Sequence, residues 1–239
     1  MAKYGSNDVA FFLVDGFNLA GVSTTLSDST EAQKEETNAL GDAWGESLAT
    51  GVRQAELAAD GFYDDASDSV NAALSGNEAT SRVVCYGFEG NTIHKGMVGL
   101  EGAFGGTYTR GATRNELTKA SATWTVTGQK DTGLIFHTLS AETASGTDTV
   151  DNNAASTSAG AVGYLQVTTS SGTSPTADIK IEDSSDNISY SDLLTFTQAT
   201  GRTAQRATVS GTVNQYVRVS WTLGGTTPSF TFIVGLARG

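Results

Sequence analysis

The chain has 239 residues and a formal net charge of −12, from 14 basic and 26 acidic side chains, with 28 glycines but only 2 prolines, 2 histidines and 1 cysteine. One cysteine excludes an internal disulfide framework. Two histidines leave little room for a histidine-rich metal site or a catalytic triad, and a pI of about 4.4 is the opposite of a nucleic-acid-gripping footprint.

Taken in chain order, the elements are mostly strands. The longest apolar run, Val9 to Val14, ends in the turn signal Asp15-Gly16, and it is far shorter than the ~20 residues of a membrane-spanning helix. No basic region followed by an apolar core precedes it, so a mature start near Met1 and folding in a reducing cytoplasm are expected. Residues 27–50 are polar and acidic, with no strong period of 2 or 3.6; a long functional or disordered loop is expected there. Ala55, Leu57 and Ala59 then alternate with Glu56, Ala58 and Asp60.

One helix is expected between Asp64 and Gly76. Its apolar face is Ala66, Val70, Ala73 and Leu74, with Asp64 or Asp65 as the cap, Asp68 in the first turn and Gly76 at the stop. Cys85 reads as a small core residue in a buried strand. His94 and His137 read as edge or surface residues, and no Cys/His cluster has metal-ligand spacing. Gly99, Gly102, Gly105 and Gly106 match no phosphate-binding fingerprint and read as turn glycines.

Strand alternation resumes at Ala120, Ala122, Trp124 and Val126. Between Thr138 and Gly160 the only large apolar residues are Leu139 and Val150, so a linker with a boundary near residue 145 is expected. Beyond it, Ile179 and Ile181, then Val217, Val219, Trp221 and Leu223, then Phe230, Phe232, Val234 and Leu236 each form one face of a half-buried antiparallel strand. Asp183 and Asp186 lack calcium-loop spacing and read as a hairpin turn. Arg202, Arg206, Arg218 and Arg238 read as solvated or paired. No metal, cofactor or catalytic set is indicated.

The acidity is uneven. Residues 1–100 hold 15 acidic and 5 basic side chains, a net −10, and residues 101–239 hold 11 and 9, a net −2.

From Asp15 to Leu74 the order of short motifs resembles the major tail tube proteins of long-tailed bacteriophages. Asp15-Gly16-Phe17-Asn18-Leu19-Ala20-Gly21 comes first, then an acidic segment leading to Leu40-Gly41-Asp42-Ala43. Gly51 to Leu57 and Gly61-Phe62-Tyr63-Asp64-Asp65 follow, then the short helix. The close match covers about a quarter of the chain, residues 15–74, and a looser one residues 5–137.

The resemblance implies a mainly β protein. Residues 1–140 would be a tail-tube-like β-barrel or β-sandwich with one short helix, 141–160 a linker or long loop, and 161–239 an outward-facing antiparallel β-sandwich. It implies a virion protein made in the host bacterial cytoplasm. Its subunits would form hexameric rings and stack into a hollow tube for DNA ejection. Its partners would be other copies of itself, other tail proteins and a tape-measure protein, with non-adhesive contact with DNA and no membrane. Residues facing the lumen or neighbouring rings would then come from Asp28, Glu31, Glu35, Glu36, Asp42, Trp44, Glu46 and Glu56, since carboxylates repel phosphate.

Asp178 to Asp186, then Tyr190 and Leu193 to Phe196, resembles phage tail appendages and galactose-binding-like sandwiches, with Tyr190 where tryptophan is usual. The alternatives are a capsid decoration or tail-completion protein, a carbohydrate-binding adhesion module using the C-terminal sandwich, and a hydrolase.

Overall fold

The computed structural model describes residues 3–38, 44–45, 47–76, 81–104, 106–126, 130–148, 150 and 155–239. The chain is mainly β, with one short helix among the described residues. Its strands are β1 (Phe11–Val14), β2 (Phe17–Asn18), β3 (Ser23–Glu36), β4 (Ser47–Phe62), β5 (Arg82–Gly87), β6 (Gly96–Phe104), β7 (Tyr108–Gly111) and β8 (Lys119–Val126). They continue with β9 (Lys130–Glu142), β10 (Gly146–Thr147), β11 (Ala161–Ser184), β12 (Ser191–Thr195), β13 (Thr203–Val209) and β14 (Tyr216–Arg238). The principal path runs β12-β11-β14-β9-β6-β5-β1-β2, and β8 joins β4, β6 and β7. The path ends at β12 and β2 without closing, so the architecture is of the β-sandwich type and not a closed barrel.

The alternating stripes define where these strands pack. Ala55, Leu57 and Ala59 on β4 lie opposite Val126, Trp124 and Ala122 on β8, and all six are buried. Phe12 meets Trp124 edge-to-face at 5.9 Å, inside an N-terminal core that also takes Leu19, Val84, Tyr86 and Leu100. A second core in the C-terminal half gathers Leu165, Ile179, Ile181, Val217, Val219, Phe230 and Phe232. A third lies between them, from Phe11, Leu13, Cys85, Met97, Ile135, Tyr164 and Ile233. This is why β1 is apolar at every position: Phe12 and Val14 enter one core, Phe11 and Leu13 the other.

Three local expectations are corrected. The helix α1 spans only Val70–Leu74, with Ser69 at its N-cap position and no acidic residue in its first turn. Asp64 instead accepts a hydrogen bond from the Ala66 N–H at 3.0 Å, a local turn that competes with helix. Asp68 lies ahead of the helix and pairs with Arg202 at 2.5 Å.

The stretch read as a linker begins as strand: β9 runs to Glu142, opposite Phe230, and Gly146 and Thr147 pair with Trp221 and Ser220. Backbone ladders and the Trp221 indole N–H, which donates to the Ala144 carbonyl at 2.9 Å, replace the missing apolar side chains. Gly99 lies in β6 and not in a turn; a Cβ there would sit 2.4 Å from the Tyr164 ring. The absent side chain therefore lets a C-terminal aromatic pack onto an N-terminal strand. Tyr164 also donates to the buried Asp131 at 2.5 Å, and Arg206 bonds the same carboxylate at 3.2 Å.

Candidate assembly hairpin

The segment expected to be a loop, residues 27–50, lies largely within a long antiparallel hairpin of β3 and β4. The alternation is unreadable in its outer half because neither face is covered, so no burial constraint separates odd from even positions. β8 supports β4 only from Ala55 to Phe62. Beyond that, Ser29–Glu36 and Ser47–Gln54 are exposed at every position. Eight strand residues extend about 26 Å at the usual rise, so this ribbon projects well beyond the body. A register shift between Ala32 and Lys34, with Gly51 at φ +81, twists it partway along.

The candidate residues distribute as follows. Asp28 lies opposite Leu57, half-buried, and its carboxylate contacts the Lys130 ammonium; burial holds that lysine below its ordinary value. Glu56 lies opposite Ser29, and Glu31 opposite Gln54, which makes Glu31 and Glu56 diagonal neighbours on the other face. Glu35 and Glu36 are exposed near the tip, opposite Leu48 and Ser47. Trp44 is 87% exposed. Asp42 and Glu46 lie outside the described residues. The structure thus places Glu31, Glu35 and Glu36 on the projecting part of the hairpin, and assigns Asp28 and Glu56 to its supported base.

At that base, Thr25 donates to Asp60 at 2.8 Å, and hydrogen bonds from Ser121 and Thr25 hold the Asp60 carboxyl below its ordinary value. Beside it, Tyr4, Val9, Phe12, Ala20, Leu26 and Phe88 line a groove of about 490 Å³. Neither Lys130 nor this groove was signalled by the sequence: Lys130 reaches Asp28 from a strand distant in the chain, and the groove closes only when residues 4–26 fold back beside Phe88.

Elsewhere the reactive groups are mostly enclosed. Burial pushes the Cys85 thiol up to about 12, so it is a core residue and not a nucleophile. His94 is half-buried and meets Phe136 edge-to-face at 5.9 Å. His137 departs from the expectation of an edge or surface position: it is 2% exposed, stacked on Phe232 at 4.1 Å. The Asp183 carboxylate accepts from the Asn214 N–H at 2.7 Å. Asp186 closes its turn by accepting from Ile188 and Ser189, each at 2.9 Å.

The four arginines are engaged. Arg202 covers Phe17, Arg206 bonds Asp131, Arg218 bonds Glu182 at 2.8 Å, and Arg238 donates to the Asn214 and Gln215 carbonyls. Arg218 also lies 3.8 Å from the Tyr190 ring centroid, so one face of that aromatic is already occupied. Among the described residues, no group of three or more His, Cys, Asp and Glu is arranged to hold a metal ion, and no helix is long and apolar enough to cross a membrane.

No family model and no curated protein matches the chain. Among solved structures, it is similar to a chain in the tail of an empty gene transfer agent particle refined with C6 symmetry. The identity is 16%, the TM-score 0.37, and 54% of this chain and 97% of the other are covered. It is also similar to a chain in the virion of a native gene transfer agent particle (16% identity, TM-score 0.40, 55% and 98% covered). A third similarity is to the Dit protein of phage SPP1, described as a hub adsorption apparatus (14% identity, TM-score 0.31, 95% and 99% covered).

Proposed function

We propose that this chain is a structural protein of a bacteriophage tail: a subunit that forms hexameric rings and stacks them into the hollow tube through which DNA passes at ejection. The observation that carries this reading, beside the motif order between Asp15 and Leu74, is the projecting ribbon of β3 and β4. A two-stranded ribbon with no covered face is marginal in water. Among the described residues β3 pairs only with β4, which leaves a strand edge of 14 residues open to pairing. Leu48 and Val52 on the ribbon are 67% and 54% exposed. Such an element gains its stability from neighbouring copies, and repeated head-to-tail contacts of that kind build an open filament.

Glu31, Glu35, Glu36 and Glu56 then serve the lumen or the contacts between rings, where negative charge keeps the passing DNA from adhering. Residues 161–239 lie on the outside of the tube. A tape-measure protein and other tail proteins are its assembly partners.

Electron microscopy of the purified chain tests this. The expected result is hollow tubes or stacked rings from the full chain. A variant with residues 33–50 replaced by a short turn should instead give folded monomers with a nearly unchanged Tm. Tubes formed equally well by the shortened variant, or monomers only from the full chain at high concentration, would overturn the reading.

A further inference from the structure

A second site lies around a bulge in β9. The β9–β14 ladder passes from Val234↔His137 to Phe232↔Ser140, three steps on β9 against two on β14. In an unbroken strand, residues 137 and 140 would point to opposite faces. The extra residue brings them to the same side.

The bulge is held deliberately. Leu139, the residue next to Ser140, has its N–H bonded to the Asn91 side-chain oxygen at 2.8 Å. The Asn91 amide donates back to the Leu139 carbonyl at 3.1 Å.

The outcome is a hydrogen-bonded line of three side chains. The Ser140 hydroxyl lies 3.4 Å from His137 Nε2, and His137 Nδ1 bonds the Asp148 carboxylate. Asp148 is itself placed by its N–H, which donates to the Val219 carbonyl at 3.0 Å. The imidazole is buried between Phe232, 4.1 Å away and nearly parallel, and Trp221 at 4.9 Å. Ser140 is half-buried, and Asp148 and Glu142 are 17% and 28% exposed. The base is therefore shielded and the hydroxyl stands at the solvent side.

We propose that Ser140 is an activated nucleophile for acyl transfer from small carboxylic esters, with His137 as its base and Asp148 as the group that orients the base. Asp148 fixes the proton on Nδ1, which leaves the Nε2 lone pair directed at Ser140. The Ser140 oxygen bonds to the acyl carbon, and the ester C–O bond breaks. The hydroxyl proton passes to His137 Nε2 and from there to the departing alcohol, leaving an O-acyl-serine that water hydrolyses. Among the described residues, the acidic groups paired with His137 are Asp148 from the end of β10 and Glu142 from β9. The Glu142 carboxylate stands 3.9 Å from Nε2 and accepts from Ser140 at 3.3 Å; the Thr138 carbonyl, at 3.1 Å, competes for the same proton. The inference is independent of the tail reading.

The full chain, treated with a fluorophosphonate probe and digested for mass spectrometry, tests it. In that reaction the Ser140 oxygen–phosphorus bond forms, fluoride leaves and His137 takes the proton. The expected result is an adduct on Ser140 that forms at least ~100-fold faster than in His137→Gln. Asp148→Asn, which keeps the shape of the orienting group, should slow it more than tenfold. Since His137 packs between Phe232 and Trp221, Asp148→Asn decides if His137→Gln fails to fold. Absence of a Ser140 adduct or an undiminished rate in Asp148→Asn would overturn the proposal.

Discussion

The two longest strand pairs of this protein have the same antiparallel geometry and opposite surroundings. β11 and β14 cover 24 and 23 residues. Register shifts near Ser171, Thr173 and Thr176 divide the pair into two arms, and in each arm β11 has a second neighbour, β13 on one and β12 on the other. The pair β3 and β4 covers 14 and 16 residues, yet among the described residues its outer half has no third strand. The first pair holds the C-terminal core together; the second extends into solvent. Strand length is therefore no measure of a strand's contribution to stability. What matters is whether a neighbouring strand and a packed face cover it.

Truncation of a side chain on each pair gives the largest test of this contrast. Phe230→Ala removes a ring that is fully buried and is expected to cost about 3–5 kcal/mol. Leu48→Ala on the ribbon is expected to stay within about 0.5 kcal/mol for the unassembled chain. Urea unfolding of both variants measures the pair; a Leu48 effect as large as that of Phe230 would show that the ribbon is packed within the monomer.

Acid sharpens the comparison at the next level. Burial opposes the charge on Glu182, but hydrogen bonds and charge from Lys180 and Arg218 outweigh it and hold the carboxyl below its ordinary 4.5. A carboxyl depressed in the folded state adds stability that is fully present above its unfolded value and is lost as the pH falls through the folded one. The β11–β14 pair should therefore weaken as the pH falls below about 4.5. Glu182→Gln should flatten that acid limb in thermal melts recorded across pH. An unchanged limb would place the acid sensitivity elsewhere.

The smallest effect concerns Cys85, in the central core between the two halves. Its thiol, pushed up by burial, is expected to stay unreactive toward a disulfide reagent at pH 8 until the chain is unfolded. Reaction in the native state would mean that the central core opens while the rest is intact.

Much of the fold was legible in local pattern. The stripes at Ala55–Ala59 and Ala120–Val126 lie against one another in register, and the alternations at Ile179, Val217 and Phe230 enter the C-terminal core. Pattern failed where burial does not alternate. The outer ribbon has no buried face, β1 has two, and the helix is a single short turn, with Asp64, one of its expected caps, making another local bond. The exposed Glu31, Glu35 and Glu36 were identifiable as part of a charged segment, but their placement along a hairpin was not.

The Ser140 site escaped detection for a different reason. His137 and Ser140 stand three apart, a spacing that reads as opposite faces until the bulge is known, and Asp148 sits in a stretch without apolar signal.

By itself, then, the sequence determined the mainly β character, the absence of a disulfide framework, the concentration of negative charge in the first hundred residues, and which strands have a core face. Those properties follow from composition and from a period of two, which act over a few residues. Only the tertiary structure decided that the acidic segment projects as a paired ribbon, that Gly99 makes room for Tyr164, and that a bulge aligns Ser140, His137 and Asp148. Each of these depends on contacts between strands far apart in the chain, whose register is fixed only when the whole sheet is assembled.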